Sequence, residues 1–428
     1  MEMTEPTKDN TFCFYPFYAL VFKLYENQDL KAVAPCCMMH DTWKPNIDQV
    51  NSVLSKEELE GLNPYEIFYH EKFKELRKNL LNNVRDSNCA TCWKQEDKGI
   101  LSHRMYSKWL FEDEFNTDLR EVDISISNKC NLACRMCNVG SSHQLWEDVD
   151  KLEKSNKLRL FEKASNHSLR SHNLPQDVKN NYLIQWIYHN TDKIKILKAS
   201  GGEPLYDKNI LDLLRKFVKD GNSKSTELAF HTNAILITDE IIELFNEFKL
   251  QRHTFSIDGV DETYEYIRHK ADFSILEQNI KNWFKKSNNI HIVNINFVLS
   301  ALNIGNIIDF LEWIALMFFE KIRCNIFISE VRPEGRGIDI KNLPIEYLKS
   351  IQTQILEFKE FKIKKYDFHF EIDKLLSLID HAIQDNICSL DKLYNEIVLL
   401  DGTRNQSYKN YLDFSLIKIL ENYEQQNN

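Results

Sequence analysis

This 428-residue chain has no long apolar runs, no excess of basic charge and little glycine. No stretch of eighteen or more apolar residues occurs, which excludes a helical membrane span. The formal net charge is −10. A broad nucleic-acid footprint needs clustered cations, so neither a membrane nor a nucleic acid is an expected partner. Phe12 to Phe22 is almost wholly apolar, yet Glu2, Glu5 and Asp9 outnumber Lys8 ahead of it. An export signal starts basic, and Pro16 with its aromatic neighbours suits a strand and turn better. The expected location is the cytoplasm. Only 11 glycines are present, and Gly201-Gly202 is the one adjacent pair. A secreted disulfide framework is missing too. Eight of the ten cysteines fall in the first 137 residues in short-range groups, and a chain this long needs no staples. In a reducing compartment such clustering points to metal.

What remains is an ordinary globular composition, 43% hydrophobic and 28% charged, arranged in three parts. Residues 1–118 read as irregular and rich in aromatics. Residues 119–340 alternate short apolar runs with amphipathic stretches. The strand candidates are Val122–Ser127, Ile194–Ala199, Glu227–Thr232, His253–Ile257, His291–Leu299 and Cys324–Val331. Helical patterns such as Ile210–Val218 and Ile241–Phe248 lie between them. The predicted fold class is α/β, a parallel sheet of six βα units with the order of a partial (β/α)6 TIM-like barrel. The first crossover, about residues 139–193, is long and charged and predicts extra helices. Residues 341–428 read as a helical carboxyl-terminal extension, with a frayed polar tail at Glu424–Asn428.

The chemistry begins at Cys130-Asn-Leu-Ala-Cys134-Arg-Met-Cys137, directly after the first strand candidate. Three thiolates within eight residues can bind three irons of a 4Fe-4S cluster and leave the fourth open. The loop sits at the carboxyl end of a strand, where open α/β sheets and barrels place active sites. A structural zinc site is the alternative, with His143 the nearest histidine that could complete it.

CxxxCxxC after the first strand resembles the radical S-adenosylmethionine (SAM) superfamily. Ser200-Gly201-Gly202-Glu203-Pro204 follows the second strand and resembles that family's GGEP segment, which holds the amino group of the cofactor's methionine part. The residue types fit: glycines let backbone approach a ligand, and Glu203 offers an anion to an ammonium. Asn233 ends the third strand and resembles a polar contact near the cofactor. Ser256-Ile257-Asp258-Gly259 ends the fourth, where Ser256 and Asp258 share a face and can reach ribose hydroxyls. Arg268 resembles the arginine that pairs with the methionine carboxylate. Met136 stands where many members carry an aromatic residue near adenine.

The amino-terminal cysteines resemble something more specific. Cys13-Phe-Tyr-Pro16-Phe17, Ala34-Pro35-Cys36-Cys37 and Cys89-Ala-Thr-Cys92-Trp93, with Glu96, Gly99, Ser102 and Arg104, are similar to a SPASM/Twitch auxiliary-cluster module placed before the barrel. The resemblance implies a second 4Fe-4S cluster on Cys13, Cys36, Cys89 and Cys92, with Cys37 an alternative to Cys36 and a four-cysteine zinc site the other reading. Cys324 and Cys388 read as buried small hydrophobes, and His231 and His253 as structural. As a whole, the resemblance implies reductive cleavage of SAM to a 5′-deoxyadenosyl radical, then hydrogen abstraction from a peptide, protein side chain or small molecule. A flavodoxin or ferredoxin would supply electrons. A methyl-transferring member, an electron-transfer protein and a zinc-stabilised interaction protein on a silent barrel remain rival classes.

Overall fold

A computed structural model describes residues 10–24, 30–39, 54, 56–97, 99, 102–107, 117–125, 127–166, 182–319, 322, 324–361 and 369–427. All six expected strands form: β3 (Glu121–Ser125), β4 (Ile196–Ser200), β5 (Glu227–Thr232), β6 (Leu250–Ser256), β7 (Ile290–Leu299) and β8 (Cys324–Glu330). Two more precede them, β1 (Ala19–Leu24) and β2 (Leu30–Ala34). The sheet order is β2-β1-β3-β4-β5-β6-β7-β8, so the last six strands follow chain order as in a (β/α)6 partial barrel. The chain divides into two units. One comprises residues 1–127, 173–230 and 244–251, the other 128–172, 231–243 and 252–428.

The first unit adds a strand pair whose bounds and partners the sequence does not show, although the Phe12–Phe22 run suits a strand and turn. β1 pairs antiparallel with β2 and parallel with β3, Ala19 opposite Glu121. Ala19, Leu20, Val21 and Phe22 are all buried. A strand covered on both faces shows no polar alternation, so its period was invisible in the aromatic run. The registers of β3, β4 and β5 align Val122, Leu197 and Leu228 on one face and Asp123, Lys198 and Ala229 on the other. Helix Lys208–Lys219 forms where Ile210–Val218 predicted one. It is capped by Asp207 and buries Ile210, Leu213, Leu214 and Phe217.

In the second unit β7 and β8 run parallel, with Val293 opposite Cys324. The charged crossover forms helices Trp146–Lys154 and Leu158–Ser165, while residues 167–181 lie outside the described set. Val149, Leu152 and Phe161 pack in one apolar cluster with Leu399 and Leu400. The carboxyl-terminal part is helical as expected: Ile345–Phe361, His369–Gln384, Leu390–Arg404 and Phe414–Asn427. The last helix continues through the tail that was expected to fray, anchored by buried Leu416 and Leu420. Cys388 also departs from expectation. It is exposed, with a positive φ of 49° between two helices, so it is not a core thiol.

His253 is fully buried against Phe255 and Trp283, and burial lowers its pKa to about 3. Below the ordinary value near 6.5 the unfolded chain binds a proton that the folded chain refuses, so stability falls as pH drops from there toward 3. The group costs roughly 2 kcal/mol at pH 5 relative to pH 7. A His253→Gln variant should lose less stability across that interval than the wild type. Equal losses in urea midpoints at the two pH values would exclude the histidine as the source.

Candidate metal centres

The loop after β3 is shaped before any metal arrives. The Cys130 N–H donates to His143 Nδ1 at 3.1 Å, and the His143 N–H donates to Asn128 O at 2.9 Å. His143 therefore braces the loop backbone. Leu132 N donates to Cys130 Sγ at 3.4 Å, and the Ser142 hydroxyl donates to Leu132 O at 2.6 Å. Backbone bonds from Ala133 N to His269 O and from Arg135 N to Ile267 O tie the loop to the segment bearing Arg268. Cys130 is buried, and Cys134 and Cys137 are half-buried; all three are free thiols. Burial pushes Cys134 up, and burial with the neighbouring Cys134 charge pushes Cys137 up to about 12. Such thiols hold their protons until a metal displaces them.

Arg268 is buried beside this loop. Its Nη1 lies 3.8 Å from Cys134 Sγ, and it forms an ion pair with Asp258. Asp258 is wholly enclosed and accepts the Val298 N–H at 2.7 Å. Burial pushes the Asp258 carboxyl up, and Arg268 opposes it. The Nε of Arg268 has no hydrogen-bond partner among the described residues. A buried charged donor without an acceptor is costly, so this geometry suits an anionic ligand. Asn233 is buried and donates to Asn131 Oδ1, three residues before Cys134. Ser256 ends β6 half-buried, and the Met136 carbonyl accepts from Arg336 at 3.0 Å.

In the first unit, Gly201 adopts φ 103°, and a Cβ there would meet Ser125 Oγ at 2.5 Å. Gly202 N donates to Ser127 O at 3.0 Å, and the Ser127 hydroxyl donates to Asp207 at 2.6 Å. The residue at 201 must therefore be glycine for this turn to sit on the end of β3. Glu203 is buried and caps the short turn Pro204–Tyr206 through Leu205 N.

The amino-terminal cysteines converge. Cys13, Cys36, Cys89 and Cys92 line one void together with Pro16, Met38, Met39 and Arg104. Burial raises the pKa values of Cys13 and Cys92, to about 12 and about 11. Arg104 braces the wall. It chelates Glu96 at 2.9 and 2.7 Å, donates to Phe12 O at 2.8 Å and lies 5.0 Å from the Trp93 ring. Ser102 bonds the same carboxylate, and Trp93 Nε1 donates to Asp86 O. Both ionic partners are buried, 2% and 7% exposed at the side chain. Removing one strands the other, so Arg104→Ala should cost about 3–5 kcal/mol. Arg104→Met with Glu96→Gln should lose less than the two single changes summed, read from denaturant midpoints.

Two groups in this unit escaped the sequence reading. Cys37 Sγ lies 3.7 Å from His103 Nε2, and His103 stacks on Tyr15 at 4.5 Å. Cys36, Cys37 and His103 bring their ligand atoms within 4.8 Å of one another, the one such set among the described residues. On one face of β3 and β4, Lys198 bonds Asp123 at 2.9 Å and approaches Glu121 at 3.9 Å, while the Ser200 hydroxyl donates to Asp123. Burial alone would lower the pKa of Lys198, but the two carboxylates outweigh it and raise it. Alternating Glu121 and Asp123 inside an apolar strand is the signal that could have found this face.

Residues 124–314 match the Radical SAM superfamily. A probable GTP 3′,8-cyclase of Methanocaldococcus jannaschii is 26% identical over 207 residues, 47% of this chain and 57% of that protein. The radical SAM cyclopropyl synthase TigE of Paramaledivibacter caminithermalis is 24% identical over 193 residues, 44% of this chain and 37% of that one. The chain thus spans little more than half of the first relative's length. Among solved structures, Streptococcus suis SuiB bound to S-adenosylmethionine covers 71% of this chain and 60% of its own, at 15% identity and a TM-score of 0.37. Native anSMEcpe with bound AdoMet covers 56% and 60%, at 15% identity and a TM-score of 0.38. Through its residues 124–314, with three free thiols on the loop after β3, the chain is similar to the radical SAM superfamily.

Proposed function

We propose that Cys130, Cys134 and Cys137 each hold one iron of a 4Fe-4S cluster and that the fourth iron stays open for S-adenosylmethionine. The observation that carries this reading is buried Arg268, beside Cys134, clamped by Asp258 and left with one free donor. When bound, these cofactors supply one-electron cleavage of the sulfonium carbon–sulfur bond and a 5′-deoxyadenosyl radical. The chain's own residues orient and enclose. Arg268 takes the methionine carboxylate, and Asp258 holds its guanidinium in place. Glu203 and the backbone of Gly201 and Gly202 receive the amino group. Asn233, Ser256 and Met136 serve the ribose and adenine side.

A second cluster on Cys13, Cys36, Cys89 and Cys92 completes the reading, since four thiols share one void braced by Arg104. Its role is one-electron traffic with the substrate or with the first cluster, fed by a flavodoxin- or ferredoxin-like reductant. The substrate is a peptide, a protein side chain or a small molecule. Relatives named for different products, a GTP cyclase and a cyclopropyl synthase, match this chain, which supports a shared start of the reaction rather than a shared substrate.

One observation favours a second reading for the amino-terminal site. Cys36, Cys37 and His103 gather as closely as ligands of a single zinc, whose sulfurs stand about 4 Å apart at a Zn–S distance near 2.3 Å. Anaerobic reconstitution followed by metal analysis and a 5′-deoxyadenosine assay with dithionite tests both. Iron with SAM-dependent 5′-deoxyadenosine supports the radical reading; zinc alone and no product overturns it.

A further inference from the structure

The carboxyl-terminal helix Leu390–Arg404 is bound to the cysteine loop by buried charge, not by apolar contact alone. Arg336 pairs with Glu396, Arg135 with Asp401, and Arg404 with Asp148; every side chain in these pairs is at most 8% exposed. Isolated surface pairs contribute little, but three desolvated pairs on one helix specify a single arrangement. Arg336 is the member that grips the loop itself. Its Nη2 donates to Arg135 O at 2.7 Å and its Nη1 to Met136 O at 3.0 Å. Those are the two carbonyls between Cys134 and Cys137.

The support behind Arg336 is equally fixed. Glu396 accepts from its Nε at 3.0 Å and from Ile338 N at 3.2 Å. Asn342 donates to the carbonyls of Arg336 and Gly337. A Cβ on Gly337 would meet Lys392 O at 2.3 Å, so only glycine allows this segment to lie on the helix.

We propose that Arg336, anchored by Glu396, is a positioning residue that fixes the 135–136 carbonyls and sets the charge around the cysteine loop, giving helix Leu390–Arg404 a part in cluster reduction. The inference rests on the reading of Cys130, Cys134 and Cys137 as cluster ligands. Reduction adds one negative charge to the cluster, and a cation held nearby in a low dielectric favours it. Glu396 tempers that cation, so the two residues push the equilibrium in opposite directions.

The test is a redox titration of the reconstituted full chain. It follows the electron paramagnetic resonance signal that S-adenosylmethionine perturbs, which isolates the cluster with the open iron and is insensitive to partial loading. Arg336→Gln should lower the reduction equilibrium constant about tenfold, about 59 mV for one electron. Glu396→Gln should shift it the other way by a smaller factor, and Arg336→Lys should stay within about threefold of wild type because the charge remains. In the metal-free protein, hydrogen exchange across residues 130–137 should quicken in Arg336→Gln. Shifts of the same sign in both glutamine variants, or no shift in either, overturn the proposal. If Arg336→Gln does not fold, Glu396→Gln decides alone: a raised potential supports it, and an unchanged one overturns it. A wild-type signal that survives alanine at Cys130, Cys134 and Cys137 would instead refute the ligand assignment beneath it.

Discussion

Alanine at Cys130, Cys134 and Cys137 together should lower bound iron from about eight to about four per chain and abolish 5′-deoxyadenosine formation. The halving follows from separation in sequence and in folding unit. The three thiols lie on a loop of the second unit, whereas Cys13, Cys36, Cys89 and Cys92 line a void of the first. The fold should survive the change. The loop is held by bonds that use none of the three side chains as donor: His143 to Asn128, Ser142 to Leu132, Arg336 to the carbonyls of Arg135 and Met136. Cys130 Sγ accepts one backbone N–H, a loss of about 1 kcal/mol. Product formation should stop outright because, on the proposed assignment, each thiolate would bind a separate iron and none would be redundant. Metal analysis beside circular dichroism checks this, and an unchanged iron content in a folded variant would refute the assignment.

The strands and both cysteine groups were legible in sequence because each is a local pattern: apolar runs of fixed length, and thiols at fixed spacing. The rest was non-local. Asp258 read as a residue facing a ribose, yet the structure encloses it against Arg268 and Val298 N, a pairing that no spacing rule encodes. Helix Leu390–Arg404 carried no motif, since Glu396 and Asp401 look like ordinary solvent-facing acids until Arg336 and Arg135 arrive from other parts of the chain. The bounds of β1 were masked by burial on both faces along Ala19–Phe22. Glu121 and Asp123 did alternate visibly, but their partner Lys198 lies 75 residues beyond Asp123.

The adjacent pair Cys36-Cys37 carries the other large effect. Cys36→Ala should leave about four irons per chain, those of the first cluster, whereas Cys37→Ala should keep about eight. Both lie in the bend after β2 with their sulfurs within 4.8 Å of each other, yet their other contacts differ. Cys36 is buried, accepts from Met38 N at 3.3 Å and lines the void with Cys13, Cys89 and Cys92. Cys37 is half-buried, and its sulfur meets His103 rather than that void. The zinc reading makes a different forecast, because its ligands would be Cys36, Cys37 and His103 together. Cys37→Ala and His103→Ala would then each strip the amino-terminal metal as fully as Cys36→Ala does. Iron and zinc content measured across the three variants separates the cases, since full iron retention in Cys37→Ala is compatible only with Cys36 as the ligand.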